Sequence, residues 1–195
     1  MVNKLDYITE KIKGMLEQKE HILIAIDGRC ASGKSTLAGQ LLTSQLKEQT
    51  GCCVIHMDDF FLRPEQRTVK RLQEPGGNVD YERFLEEVMK PLSKNQPFSI
   101  RAYNCKTQLF ENPVSIKPKR ISVIEGSYSC HPSLWEFYDF RIFLTIDKEE
   151  QLRRIMRRNG KEAAAMFQEK WIPLEERYFE AYDIEKRCDL RFITS

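Results

Sequence analysis

The residues from Gly28 to Thr36 have the types and the spacing of a phosphate-binding loop. They follow the apolar stretch Ile22–Ile26 and fit the pattern G-x-x-x-x-G-K-[ST], whose glycines let successive backbone N–H groups point into one concavity. In this pattern Lys34 reaches the β- and γ-phosphates and the Ser35 hydroxyl binds Mg²⁺, and the helix that follows adds the positive end of its dipole. The alternative is a glycine-rich turn without a ligand. The pattern predicts binding of a nucleoside triphosphate by Gly28, Ser32, Gly33, Lys34, Ser35 and Thr36.

Acidic residues follow two of the predicted strands. Asp58 and Asp59 come after one strand, and Glu125 ends another. Ligands of open parallel sheets bind beyond the carboxyl ends of the strands, so these carboxylates are expected beside the phosphate-binding loop. A kinase needs a carboxylate to orient or deprotonate the acceptor hydroxyl, and acidic or hydroxyl groups to hold Mg²⁺. The alternative for each position is a solvated strand end built from turn-favouring residues.

A cluster of basic residues with no acid among them comprises Arg153, Arg154, Arg157, Arg158 and Lys161. On a helix, the last four of these share one face. We interpret the cluster as a lid that brings arginines onto the transferring phosphate, since guanidinium groups suit phosphate oxygens and developing charge. The alternatives are a solvated face near a helix C-terminus and a nucleic-acid contact.

Composition and charge indicate an ordinary globular protein. The 195 residues are 41% hydrophobic and 31% charged, and 31 basic and 29 acidic residues give a net charge of +2. This balance requires neither a nucleic-acid nor a membrane partner. The length suits one domain over residues 1–195 with a substantial core.

The cysteines and histidines show no metal-binding spacing. The six cysteines form no C-x-x-C pair, which argues against a zinc site and a thioredoxin-type motif and favours reduced thiols in the cytosol. His21, His56 and His131 are scattered. The N-terminal segment lacks the apolar core of a signal peptide, and no apolar run approaches the length of a membrane span. We therefore expect a soluble, cytoplasmic protein.

Periodicity predicts alternating helices and strands in the first half of the chain. Leu5, Ile8, Ile12 and Met15 follow the helical period. The expected elements after them are a strand over 21–27, a helix from the phosphate-binding loop to about residue 48, a strand over Cys52–Met57, a loop over Leu62–Asn78, and a helix capped by Asp80 that runs through about Lys90 and is closed by Pro91.

The second half continues the same alternation. The expected elements are a hairpin insertion over residues 97–119 around Glu111-Asn112-Pro113, buried strands Ile121–Glu125 and Phe140–Ile146, a helix after Asp147, a second over about Lys161–Lys170, a third opening at Pro173, and a strand over Asp189–Thr194. Residues 150–172 would form the lid. Alternating strands and helices predict an α/β fold with a parallel sheet covered by helices on both faces.

Several conspicuous residues have simpler explanations. Asp147 with Glu150 matches a helix N-cap, and needs no catalytic role. The run Asn3-Lys4-Leu5-Asp6 matches a guanine-reading pattern, but no strand precedes it and we treat it as chance. Trp171 and the Phe60-Phe61 pair are expected in the core or in a pocket wall.

Taken together, these motifs resemble the uridine kinase family of P-loop kinases, whose relatives include nicotinamide riboside kinase, phosphoribulokinase and bacterial pantothenate kinase. The resemblance extends from Ile22 to about Leu190. It rests on the phosphate-binding loop Gly28–Thr36 (the P-loop), His56–Phe61, Asn78–Tyr81, Ile124-Glu125-Gly126, and Phe143–Ile146 followed by the arginine-rich helix. It implies a P-loop NTPase three-layer fold, ATP and Mg²⁺ as cofactors, and a small-molecule substrate. Uridine kinases are often oligomers, so a homo-oligomer is also implied.

The resemblance further implies roles for individual residues. Asp58 would be the acceptor-side base, and Ser35, Asp58 and Glu125 would surround Mg²⁺. Asp80 matches a position that holds ribose hydroxyls. Arg154, Arg157 and Arg158 match the lid arginines.

The acceptor pocket departs from the uridine kinase pattern. In uridine kinases a hairpin tyrosine is followed five residues later by a histidine that contacts uracil. Here Tyr103 is followed by Gln108, which still donates and accepts hydrogen bonds. The expected reaction is γ-phosphate transfer from ATP to the 5′-OH of a ribonucleoside such as uridine or cytidine. The alternatives are another acceptor (nicotinamide riboside, pantothenate or a sugar phosphate) and an ATP-binding regulatory switch.

Overall fold

The computed structural model describes residues 4–43 and 51–194 of the chain. Its strands are β1 (Ile22–Gly28), β2 (Cys52–His56), β3 (Phe98–Ile100), β4 (Tyr103–Asn104), β5 (Leu109–Phe110), β6 (Val114–Ile116), β7 (Ile121–Glu125), β8 (Phe140–Ile146) and β9 (Leu190–Thr194). Its α-helices are α1 (Lys4–Leu16), α2 (Lys34–Thr43), α3 (Val69–Gln73), α4 (Tyr81–Phe84), α5 (Lys90–Ser93), α6 (Lys148–Asn159), α7 (Lys161–Met166), α8 (Ile172–Ala181) and α9 (Ile184–Arg187).

A parallel five-stranded sheet runs through the fold in the order β2-β7-β1-β8-β9. The central strands β1 and β7 are buried at every position, which explains their continuous apolar sequence. In register, Ile24 of β1 pairs with Val123 of β7 on one side and with Phe140 of β8 on the other. The predicted parallel sheet is thus confirmed, and it gathers the carboxyl ends of these strands at one edge.

Alternate residues of β1 face two separate cores. Ile22, Ile24 and Ile26 pack with Ile8 of α1 and with residues of α2 on one face. Leu23 and Ala25 point to the other face, where the aromatic and aliphatic residues of the second core lie. Helices therefore cover both faces of the sheet, as the alternation of elements predicted.

The boundaries of several elements differ from the predictions. The predicted loop over residues 62–78 contains a 3₁₀ turn, Pro64–Gln66, and the short helix α3, whose N-cap Thr68 accepts a hydrogen bond from the Arg71 N–H. Both elements are too short for a helical repeat of apolar residues to be recognised in the sequence. The helix after the P-loop is described up to Thr43, and its predicted continuation to residue 48 falls outside the described residues, as does Asn3 of the guanine-reading pattern.

Pro91 does not end its helix, contrary to the prediction. A π-helical turn, Leu85–Met89, lies between α4 and α5, and the Lys90 N–H donates to the Leu85 carbonyl. A regular α-helix would place the proline ring against the Glu87 carbonyl. The wider turn accommodates the ring, so the chain stays helical through Ser93.

The predicted hairpin insertion is present, but its turn lies elsewhere. Strands β3 and β6 form an outer antiparallel pair and β4 and β5 an inner one. The chain reverses at residues 105–108, where the Asn104 side chain accepts the N–H groups of Lys106 and Thr107, and Gln108 has φ 57°. Glu111-Asn112-Pro113, predicted as the turn, instead connects the inner pair to the outer pair.

The C-terminal helices follow the predicted order. Asp147 caps α6 by accepting the N–H groups of Glu149 and Glu150. A second π-helical turn, Phe167–Trp171, joins α7 to α8, and Pro173 lies in the first turn of α8. None of the helices in residues 4–43 and 51–194 combines the length and the apolar character needed to span a membrane.

Asp27 connects the end of β1 to two other parts of the fold. Its fully buried carboxylate accepts hydrogen bonds from the N–H groups of Gly28, Tyr128 and Cys130 and from the Tyr178 hydroxyl of α8, at 2.6–3.2 Å. Burial raises the pKa of this carboxyl to about 6, while these donors oppose the shift. One carboxylate thereby fixes the P-loop strand, the turn after β7 and helix α8 relative to one another.

Replacing Gly28 by alanine should lower the free energy of unfolding by about 3 kcal/mol, a value typical of severe backbone strain and overpacking. Gly28 has φ 134°, and an added Cβ would lie 2.0 Å from the Leu144 carbonyl oxygen. The control is Gly14→Ala, at an exposed position of α1 with no atom within 4 Å of the added Cβ. Gly14→Ala should raise the free energy of unfolding by about 0.5–1 kcal/mol. Urea unfolding followed by circular dichroism measures both, and equal effects would contradict the close packing at Gly28.

Asp27→Asn should lower the free energy of unfolding by about 3 kcal/mol at about pH 8, because the amide leaves buried donors without an acceptor. Tyr178→Phe removes only one donor and should cost about 1 kcal/mol. Chemical denaturation of both variants gives the comparison. An Asp27→Asn protein as stable as Tyr178→Phe would show that the carboxylate does not hold these segments together.

Candidate active site

A cavity of about 980 Å³ lies at the carboxyl ends of β1, β2 and β7. Its walls come from the P-loop, from the residues after β2 and β7, from α6, and from the segment that joins α7 to α8. Of the predicted residues, the cavity is lined by Gly33, Lys34, Ser35, Thr36, Asp58, Glu125, Arg154, Arg157 and Arg158. The fold thus brings together the predicted nucleotide-binding, acidic and arginine groups.

The P-loop backbone has the conformation that its glycines allow. Gly33 has φ 94° immediately before α2 begins at Lys34, and Ala31 has φ 60°. The Ser32 side chain is fully buried, and its Oγ has no hydrogen-bond partner among the described residues. Loops of this shape expose successive N–H groups to an anion.

The Lys34 ammonium lies against its own loop. Its Nζ donates to the carbonyl oxygens of Gly28 and Arg29, at 2.8 and 3.0 Å, and to Ser127 Oγ at 3.2 Å. The residue is only 9% exposed, so these acceptors replace the water that a buried cation loses. The cation is held at the floor of the cavity, where the P-loop pattern predicts it.

Ser35 and Glu125 are in direct contact. The Ser35 hydroxyl lies 3.1 Å from each carboxylate oxygen of Glu125. Glu125 is nearly buried and also forms a hydrogen bond of 2.5 Å with Nδ1 of the half-exposed His56. This hydrogen bond raises the pKa of His56. His56, for which the sequence predicted no role, thus fixes the orientation of the Glu125 carboxylate.

Asp58 is the second carboxylate at this end of the cavity. Burial raises its pKa, the Lys34 charge opposes the shift, and the charges of Glu125 and Asp59 add to it. A Cβ on Gly126, which has φ 139°, would lie 3.4 Å from Asp58 Oδ1 and 2.8 Å from Met57 Cβ. Glycine at this position therefore lets Asp58 approach the end of β7.

These residues suit a magnesium ion that is completed by phosphate oxygens. In residues 4–43 and 51–194 no three His, Cys, Asp or Glu side chains are close enough to form a metal site by themselves. Mg²⁺ typically takes one or two carboxylates and completes its shell with substrate phosphates and waters. The contact between Ser35 and Glu125 beside the P-loop fits that donor set, with Asp58 nearby.

The arginine cluster lies on α6, at the wall of the cavity. Arg154 donates to Glu150 at 2.7 Å and to the Ala31 carbonyl of the P-loop at 3.3 Å. Glu150 also pairs with Arg153, and the hydrogen bonds from Arg153 and Arg154 lower its pKa to about 2. Glu150, which we interpreted only as part of a helix cap, thus also positions two arginines.

Three predicted acceptor residues do not line the cavity formed by the described residues: Asp80, Tyr103 and Gln108. The Asp80 carboxylate accepts from the Arg83 N–H and from Gln66 Nε2, at 3.1 and 2.7 Å. Tyr103 is buried against Phe110, and Gln108 is exposed in the hairpin turn. Other residues of this part of the fold line the cavity instead: Phe61, Arg67, Asn78, Cys105 and Tyr128. Substrate binding by the predicted three residues stays a prediction.

The aromatic residues expected in the core or in a pocket wall divide between the two locations. Phe60 is fully buried in the core, whereas Phe61 and Trp171 line the cavity.

Two further polar residues at the P-loop, Ser127 and Glu175, were not predicted from the sequence. Ser127 follows the Glu125-Gly126 pair and was findable as a residue beyond a strand end. Glu175 lies inside a helix and has no local signal in the sequence.

Comparison with known proteins agrees with this architecture. The family described as phosphoribulokinase / uridine kinase matches residues 23–166. The chain is 33% identical over 148 residues to human nicotinamide riboside kinase 2, covering 71% of this chain and 58% of that protein. It is 26% identical over 149 residues to the uridine kinase of Ureaplasma parvum serovar 3, covering 73% of this chain and 71% of that protein.

The fold also matches solved structures. A structure described as a possible uridine kinase from Bacillus stearothermophilus aligns with a TM-score of 0.67 at 21% identity, covering 95% of this chain and 99% of that chain. At this identity the likeness concerns the fold alone, and it confirms the predicted P-loop α/β architecture. Sequence and fold lead to the same assignment: the chain belongs to the phosphoribulokinase/uridine kinase family and is a small-molecule kinase.

Proposed function

We propose that the protein transfers the γ-phosphate of ATP to the 5′-hydroxyl of a ribonucleoside, with uridine and cytidine as the first candidate acceptors. The observation that carries the proposal is the placement of Asp58 in the same cavity as Lys34, Ser35 and Glu125. Phosphoryl transfer requires such a carboxylate at the acceptor and a cationic, anion-binding loop at the phosphates.

The P-loop side of the cavity supplies binding and charge. Lys34 would exchange its contacts with the Gly28 and Arg29 carbonyls for phosphate oxygens, which are stronger acceptors of its charge. Ser35 and Glu125 would hold Mg²⁺, with Asp58 beside them. When bound, Mg²⁺ supplies neutralisation of the charge on the β- and γ-phosphates.

Asp58 would orient the acceptor hydroxyl and accept its proton. Desolvation by the surrounding protein raises its pKa and makes it a better proton acceptor than an ordinary aspartate, while its side chain stays open to the cavity and Lys34 keeps the ionised form accessible. Activity should therefore fall as the pH drops through this raised pKa, because the protonated carboxyl cannot take the proton.

The α6 side chains would complete the site. Arg154 already contacts both the P-loop and Glu150, and Arg157 and Arg158 line the same wall. We infer that these guanidinium groups neutralise charge on the transferring phosphoryl group. Closure of this segment over the cavity would exclude water and so favour transfer to the hydroxyl over hydrolysis.

A nicotinamide riboside acceptor is the second candidate. It is favoured by the 33% identity to human nicotinamide riboside kinase 2. The presence of Arg67 in the cavity lining counts against it, since a guanidinium disfavours a cationic pyridinium ring. Uridine and cytidine are neutral and present carbonyl oxygens that an arginine can bind.

The test is ADP release from Mg²⁺–ATP by the purified protein with a panel of uridine, cytidine, nicotinamide riboside, pantothenate and sugar phosphates. We expect release that depends on uridine or cytidine. Release with only another acceptor would keep the kinase and overturn the nucleoside assignment. Release that needs no acceptor would favour a nucleotide-dependent switch.

An Asp58→Asn variant in the same assay examines the proposed base. The substitution should lower kcat by about 10²- to 10⁴-fold without weakening ATP binding. Asp59→Asn is the matched control, since Asp59 is adjacent in sequence but does not line the cavity of the described chain. Full activity of Asp58→Asn would exclude Asp58 as the base.

A further inference from the structure

Three side chains of helix α8 form hydrogen bonds with the end of β1 and with the P-loop. Glu176 binds the Arg29 guanidinium through two hydrogen bonds of 2.7 and 2.8 Å, and the Tyr178 hydroxyl binds Asp27 at 2.8 Å. Glu175 makes the third contact, accepting the Cys30 N–H at 3.0 Å. Among these α8 side chains, Glu175 alone lines the cavity.

The Glu175 carboxylate is also linked to the P-loop lysine. Its second oxygen accepts the Ser127 hydroxyl at 2.7 Å, and Ser127 Oγ in turn accepts from Lys34 Nζ at 3.2 Å. Glu175 is 5% exposed, and burial raises its pKa while Lys34 opposes the shift. The negative charge therefore lies close to the cation that must bind phosphate.

A purely structural role does not account for this arrangement. Desolvating a carboxylate costs several kcal/mol, and an apolar side chain of similar size packs a helix against a loop at lower cost. The two donors that Glu175 satisfies belong to groups whose position matters for anion binding: a P-loop amide, and the serine that contacts Lys34.

We propose that Glu175 is a positioning residue for the P-loop, holding the Cys30 amide directly and the Lys34 ammonium through Ser127. Helix α8 continues from the π-helical turn at Phe167–Trp171, whose first and last residues line the cavity. Glu175 thus connects the loop that binds the triphosphate to the segment that follows the arginine cluster. The inference rests on the proposed function in that it takes a nucleoside triphosphate as the occupant of the loop.

Two substitutions separate the hydrogen bonds of Glu175 from its charge. In Glu175→Gln, the amide oxygen can accept the Cys30 N–H, the amide nitrogen can donate to Ser127 Oγ, and the serine hydroxyl can donate to the Gly28 carbonyl 3.2 Å away. In Glu175→Leu both acceptors are lost. The matched control is Glu180→Gln, at an exposed position of the same helix.

The experiment is calorimetric titration of each variant with Mg²⁺ and AMP-PNP, a non-hydrolysable ATP analogue, together with its melting temperature. We expect Glu175→Leu to bind at least about 10-fold more weakly, the equivalent of one well-formed hydrogen bond. Glu175→Gln should bind within about 3-fold of wild type, and Glu180→Gln should bind as wild type does. Rescue by glutamine is a result that simple destabilisation would not give.

Folded Glu175→Leu with wild-type affinity, or with a lowered melting temperature alone, overturns the proposal. Where the leucine variant does not fold, Glu175→Asp decides the question. It keeps the charge but shortens the side chain by one methylene, so it leaves the Cys30 amide unpaired and should also bind about 10-fold more weakly. Wild-type protein that binds no AMP-PNP would contradict the proposed function itself, whereas wild-type binding with no difference between variants contradicts only the role of Glu175.

Discussion

The site depends on one cation, Lys34, surrounded by carboxylates at the carboxyl edge of a parallel sheet. Asp58 and Glu175 both line its cavity, and both carry pKa values that burial raises and the Lys34 charge opposes. Glu125 lines the same cavity and binds Ser35. Without a ligand the ammonium is satisfied by the loop carbonyls and Ser127. These three carboxylates outnumber the Lys34 cation at the P-loop end of the cavity, so a divalent cation there and the α6 arginines at the wall would balance their charge and that of a triphosphate.

The rest of the fold keeps these groups in register. Parallel pairing of β1 with β7 and β8 brings residues from distant parts of the chain to one edge. Asp27 connects that edge to the turn after β7 and to α8. Arg29 binds Glu176 and Glu185, so the first residue after β1 is also anchored to the C-terminal helices. Few of these groups can move independently, which favours a preorganised site.

The sequence predicted the parts of the site that depend on local pattern. The P-loop, the acids at the ends of β2 and β7, and the arginines of α6 follow from spacing, and the cavity contains most of them, with Gly28, Ser32 and Asp59 outside its lining. It did not predict Glu175, His56 or the cavity-lining Arg67, because their neighbours are distant in sequence and no periodicity marks them. The acceptor residues predicted by resemblance stay a prediction, and the described cavity does not include them: the Asp80 carboxylate accepts two hydrogen bonds, and Gln108 lies in a turn that Asn104 fixes. The other cavity-lining residues Phe61, Arg67, Asn78, Cys105 and Tyr128 lie in turns and short connections, which sequence patterns describe least well.

The most direct measurement is calorimetric titration of the wild-type protein with AMP-PNP in the presence of Mg²⁺ and, separately, with EDTA. If a divalent cation must balance the three carboxylates that lie with Lys34 at the P-loop end of the cavity, removal of the metal should weaken binding by at least about 10-fold. Equal affinity with and without Mg²⁺ would contradict the account, because it would show that Ser35 and Glu125 do not form a cation-dependent phosphate site.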